Sequence, residues 1–164
     1  MWVSAIFTAA GGLIVLVVLY LTLRGAWLAA SPKVWATRYV RDTYVSFAWA
    51  ELGRGLFLGY LFALGLSPMS TMFLLGQEQF WPSFALLFLI IWGFGASVVY
   101  FVQLLPGFRG YVRHRQAKGE SVGASVYGQI LIVILMTGVL AWVFVAFLLP
   151  PALAFFQGLY NSLY

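Results

Sequence analysis

The chain has 164 residues, of which 63% are hydrophobic and only 8% charged, and its mean hydropathy is +0.98. A water-soluble domain is about half apolar and a quarter charged, so this composition excludes a soluble fold and predicts a single domain, residues 1–164, immersed in lipid. The net charge of +5 does not point to nucleic acid, because the basic residues follow topology. They fall in two segments, Arg24, Lys33, Arg38, Arg41 and Arg54, then Arg109, Arg113, Arg115 and Lys118; both tails and the middle connection have none. That is the positive-inside distribution of a polytopic membrane protein, and no nucleic-acid partner is expected. With no cysteine there is no disulfide framework and no thiolate chemistry.

A bilayer core of about 30 Å takes about 20 apolar residues as a helix. The first such run is 3–23, uncharged and followed, not preceded, by positive charge. It therefore reads as an uncleaved anchor with its N-terminus on the non-cytoplasmic side. Next comes the stretch 33–54. On a helical wheel Lys33, Arg38, Arg41 and Asp42 share one half, and Trp35, Ala36, Tyr39, Val40, Phe47 and Ala50 share the other. This predicts an interfacial amphipathic helix in the headgroup layer.

The second span is expected over 55–76, which is free of charge. Glu51 and Arg54 then stand at its threshold, three residues apart, paired, with the arginine reaching towards headgroups. A third span fits 84–105, ended by Pro106-Gly107, and a fourth fits 125–149, ended by Pro150-Pro151. Proline lacks the amide proton that a helix interior requires. The tail after it is too short to cross again and is expected on the outer leaflet or against a partner, anchored by Phe155, Phe156 and Tyr160. The expected fold is all-α, with four transmembrane helices plus one interfacial helix.

Helices in lipid associate through close backbone approach and not through a hydrophobic drive. The small-residue tracks that permit it are Ala9-Ala10-Gly11-Gly12, Gly55-x-x-x-Gly59, Gly93-x-Gly95-Ala96 and Ala124-x-x-x-Gly128. They are expected to pack the bundle, or to dock another chain through one track, the second span first. Ser67 and Pro68, followed by Ser70 and Thr71, predict a kink near the middle of the second span, with hydroxyls able to meet the freed carbonyl. If the chain instead formed a homo-oligomeric pore, Ser67, Ser70, Thr71 and Ser97 would line it. Gln103 and Gln129 lie near span ends. Ten aromatic residues, among them Trp2, Trp27, Trp35, Tyr39, Trp49, Phe80 and Trp81, fall at expected interfaces, where rings with one wet end are at home.

Catalytic signals are missing. His114 is the only histidine, lies among arginines and is expected to be solvated, and the four carboxylates Asp42, Glu51, Glu78 and Glu120 fall outside or at the edge of the spans. No cofactor and no enzymatic activity are expected. The basic residues Arg38, Arg41, Arg109, Arg113, Arg115 and Lys118 are candidate contacts for lipid headgroups or a partner. The expectation is a non-catalytic subunit of the bacterial inner membrane, both termini non-cytoplasmic, scaffolding a secretion, respiratory or transport assembly beside other integral subunits. The alternative is a small homo-oligomeric channel or transporter.

Overall fold

A computed structural model of the chain describes residues 2–38, 43–74 and 80–163. Arg41, Tyr39, Val40, Asp42, Glu78 and the end of the second expected span lie outside the described residues, as do the side chains of Trp2 and Phe80. The described residues are all-helical: α1 (Trp2–Ala29), α2 (Pro32–Arg38), α3 (Tyr44–Leu74), α4 (Phe80–Ala117), α5 (Ala124–Val143), a π turn (Phe144–Leu148) and α6 (Leu149–Leu163). Among them are four helical stretches long and apolar enough to cross a membrane. Helices are what such a sequence must form in lipid, since each bonds its own backbone amides internally.

Three expectations about boundaries are corrected. The stretch 33–54 is not one interfacial helix. α2 stops at Arg38, Thr43 is non-helical, and Tyr44–Arg54 is the first part of α3, continuous with the span that follows. Of its apolar face, Trp35 and Phe47 are completely buried against α4, while Ala36 and Ala50 are exposed. Pro106 does not end α4 either, although it removes one rung of the ladder; the helix runs on to Ala117. Continuation buries Gly107, Gly110, Tyr111 and His114 on one stripe. Pro150-Pro151 likewise sit inside a helix. The turn before them widens to π geometry, with the Leu149 amide donating to the Phe144 carbonyl, and α6 continues beyond. Such widened turns accommodate interruptions of the ordinary ladder.

α3 is the central helix, antiparallel to both α1 and α4. Against α1 it crosses at Gly65 and Gly11, where a side-chain carbon on either would strike the other's carbonyl oxygen. Against α4 a carbon on Gly59 would strike the backbone of Ala96, and one on Gly55 would lie 2.8 Å from the Ala96 carbonyl oxygen. The Trp92 indole then ties the two helices by donating to the Leu56 carbonyl at 2.8 Å, and Tyr60 meets Phe88 edge-on with ring centres 5.3 Å apart.

At about 1.5 Å per residue, the 31 residues of α3 and the 38 of α4 rise about 46 and 57 Å, well past a bilayer core of about 30 Å. The extra length at the basic end is filled by an aromatic cluster. Trp35 lies 5.1 Å from Phe47 and 5.2 Å from Tyr111, and Tyr44 lies 5.3 Å from Phe108. The Trp35 indole donates to the Ala29 carbonyl at 2.8 Å, which folds α2 back beneath α1. Gly107 and Gly110 are the seats for the Phe47 and Trp35 rings, since a side chain on either would occupy the ring's position.

α5 stands outside this three-helix bundle. It is held at the basic end, where the Tyr44 amide donates to Gln129 Oε1 at 2.8 Å and Val126 and Val133 enter the aromatic cluster. It meets α4 again through the Tyr100–Thr137 hydrogen bond at 3.1 Å and at the π turn, where Phe144 and Leu148 lie over Gly93.

Overpacking a rigid contact costs about 1–3 kcal/mol, whereas alanine in place of an unobstructed helical glycine gains up to about 1 kcal/mol. Gly59→Ala is therefore expected to lower, and Gly128→Ala, with nothing within 4 Å of its added carbon, to hold or raise, the midpoint of thermal unfolding in detergent. Equal midpoints for the two variants would refute the backbone contact at Ala96.

Candidate functional site

The most polar interior lies where α1, α3 and α4 meet, one turn inside the aromatic cluster. Glu51 is 4% exposed and Gln103 is fully buried. Glu51 Oε1 stands 3.7 Å from Arg54 Nη1. The guanidinium also donates across the interface, through Nη2, to the Leu21 carbonyl at 3.1 Å. Gln103 Nε2 reaches towards the neighbouring Thr22 carbonyl at 3.5 Å, and the Thr22 hydroxyl donates to the Val18 carbonyl at 2.8 Å. Gly25 makes the convergence possible: a carbon there would lie 2.6 Å from the Arg54 guanidinium and 2.8 Å from the Gln103 amide.

Glu51 and Arg54 pair as expected, but the carboxylate is buried and the guanidinium turns to the Leu21 carbonyl of α1. The carboxylate points into the bundle because α3 is flanked at that level by both α1 and α4, and Arg54 follows it across to α1. Glu51 Oε2 and Gln103 Oε1 are buried acceptors without a hydrogen-bond partner, an unusual state for such groups in a native fold. The cluster binds three helices together through charge and leaves two acceptors for a donor-bearing group. The sequence carried a signal for it that periodicity missed. Gln103 sits three residues before Pro106 on the same stripe as Gly107 and Gly110, the inward face of α4.

The other sequence-derived residues are distributed as follows. Gly55, Gly59 and Gly95 lie in the α3–α4 interface, and Gly93 lies under the π turn. Ala124 and Gly128 are exposed on α5, and nothing approaches Gly128. Ser67 and Thr71 are fully buried. The Thr71 hydroxyl donates to the Ser67 carbonyl at 2.7 Å and that of Ser70 to the Leu66 carbonyl at 2.9 Å, while Ser67 Oγ is buried without a partner. α3 remains helical through Pro68.

Of the basic residues, Arg38, Arg109, Arg113 and Lys118 are exposed, Arg38 while also interacting within the chain, and Arg115 is engaged within the chain as well. It pairs with Glu120 and donates to the Tyr111 hydroxyl at 2.9 Å. His114, expected to be solvated, is only 7% exposed because it continues the inward stripe of α4. Among the described residues no three His, Asp or Glu side chains converge as metal ligands.

Comparison with known protein families, with curated proteins and with solved structures finds no match for this chain.

Removing one member of a fully buried ion pair costs about 3–5 kcal/mol because the other is left uncompensated. Here the Arg54 side chain keeps 31% of its surface exposed, which screens the pair, so Arg54→Met is expected to destabilise by about 1–3 kcal/mol. The double variant Glu51→Gln, Arg54→Met is expected to recover part of that loss. Strictly additive effects in a thermal double-mutant cycle would show that the two groups do not interact.

Proposed function

We propose that this chain is a non-catalytic integral subunit whose α5–α6 arm docks other membrane subunits and so scaffolds a larger assembly, of the secretion, respiratory or transport kind. One observation carries the reading: α5 buries only Val126 and Val133 and stands away from a bundle that is otherwise closed. Its outer surface presents Leu131, Leu135, Val139 and Trp142, each more than half exposed. It also presents the one small-residue track that has no neighbour inside the chain, Ala124 and Gly128. A backbone able to approach another helix closely is what association in lipid requires.

The same geometry disfavours the homo-oligomeric pore. The glycine faces of the second and third spans, which a symmetry axis would need, are used by α3 and α4 against each other. Ser67 and Thr71, which would line the channel, are enclosed. The charge bias places the basic end in the cytoplasm and both termini on the opposite side of a bacterial inner membrane. Arg38, Arg109, Arg113 and Lys118 would then meet anionic headgroups, at about 1 kcal/mol each.

A photo-crosslinking residue at Leu135 or Trp142, expressed in the native host, tests the proposal. Adducts to a second integral protein are expected, and Gly128→Leu should reduce co-purification of that protein in mild detergent without lowering the unfolding midpoint. A monodisperse chain that yields no protein adduct at either position would defeat the scaffold reading.

A further inference from the structure

The separation of α5 from the bundle leaves a cleft of about 600 Å³, walled by Leu52 and Leu56 of α3, by α4 from Gly93 to Val102, and by α5 and the π turn from Thr137 to Leu148. That volume is ordinary for a small-molecule site. At one end of the cleft Phe144 and Leu148 lie over Gly93. It opens sideways, between Phe94 and Phe101 on α4 and Val145 on the π turn, all at least half exposed. A lateral opening along two spanning helices faces hydrocarbon, not water.

Its walls are apolar apart from three hydroxyls. Ser97 already donates to the Gly93 carbonyl at 2.7 Å. Tyr100 and Thr137 share one hydrogen bond, 3.1 Å across the cleft floor. Two hydroxyl groups carry two protons and this bond uses one, so one donor of the pair is left for an acceptor in the cleft. Gly55 faces Tyr100 across the α3–α4 interface, so the hydroxyl pair lies at the level of Arg54, and Tyr100 is about 7 Å of helix rise from Leu105, the end of the apolar run. That is a shallow position, near the depth at which a lipid's glycerol esters sit. From Tyr100 to Gly93 the cleft runs inward along the helix axis for about another 10 Å.

We propose that this cleft binds one acyl chain of a bilayer phospholipid, with the ester carbonyl accepting from the Tyr100–Thr137 pair and the tail lying over Ala96 and Gly93 against Phe144. The elongated axial shape, the single free donor at ester depth and the sideways entry together fit an acyl ester. A planar quinone would place a second carbonyl, across its ring, against bare hydrocarbon.

The test uses the full chain, stripped of lipid in detergent and titrated with dioleoyl phosphatidylglycerol and with its ether-linked analogue, binding being counted by native mass spectrometry. One ester lipid per chain is expected, bound about three- to tenfold more tightly than the ether analogue, the ratio of a single net hydrogen bond. The double variant Tyr100→Phe, Thr137→Val, which removes both hydroxyls, should erase that difference, and Ala141→Trp should abolish the bound lipid. Should Ala141→Trp fail to fold, the nearly isosteric double variant Tyr100→Phe, Thr137→Val still decides the question. Equal affinity of wild-type protein for ester and ether lipids would overturn the proposal, as would unchanged lipid retention in a folded Ala141→Trp variant. One-to-one displacement of the lipid by ubiquinone would overturn it as well.

Discussion

The architecture depends on how closely α3 approaches its two neighbours. In lipid the apolar side chains gain nothing from leaving the solvent, so a helix pair is held by dispersion and by hydrogen bonds that close approach permits. Gly59 against Ala96 and Gly65 against Gly11 bring backbones into contact on opposite faces of one helix. Once α3 is pinned on both sides, Glu51 has no lipid-facing direction left and its carboxylate is enclosed. The buried charge cluster is thus a consequence of glycine positions two and more helical turns away.

The same pinning decides where α5 can go. α3 and α4 use their small-residue faces on each other, which leaves α5 only the edges of the bundle: the aromatic cluster at the basic end and Gly93 at the other. A helix attached at its two ends, and between them by the single Tyr100–Thr137 hydrogen bond, creates both the exposed arm and the cleft behind it. Pro150-Pro151 contribute to the second attachment, because the π turn that accommodates them also turns Phe144 and Leu148 towards α4. The exposed face of α5 and the cleft behind it are therefore two sides of one packing decision.

Much of this was legible in the sequence. The four apolar runs, the charge bias and the tracks at Gly55, Gly59, Gly93 and Gly95 follow from composition and spacing, which depend on the solvent and on residue size alone. What failed was inference about partners. A wheel separates the apolar half of 33–54 from the polar half, but it cannot say that Trp35 and Phe47 will meet α4 and not lipid. Proline marks a missing donor, yet whether the helix stops depends on what lies beyond: seats for two aromatic rings after Pro106, and a π turn before Pro150. The burial of Glu51 was out of reach for the same reason. The uncharged run from Gly55 onward locates the pair along the chain and says nothing of its neighbours around the axis.

The buried cluster also does work that the apolar contacts cannot. A groove lined by small residues looks much alike one helical turn further along, so Gly11, Gly65, Gly55 and Gly59 bring helices together without fixing their axial register. Arg54 can meet the Leu21 carbonyl, and Gln103 can approach Thr22, at one register only, and sliding α1 by a turn would set the guanidinium against apolar surface. Burying an ion pair is a poor route to stability, and register is the best-attested use of such a pair. Gly25 makes that selectivity strict, since no other residue leaves space for both the guanidinium and the amide. Close packing thus supplies the attraction among α1, α3 and α4, and the charge cluster chooses among the arrangements that attraction alone would allow.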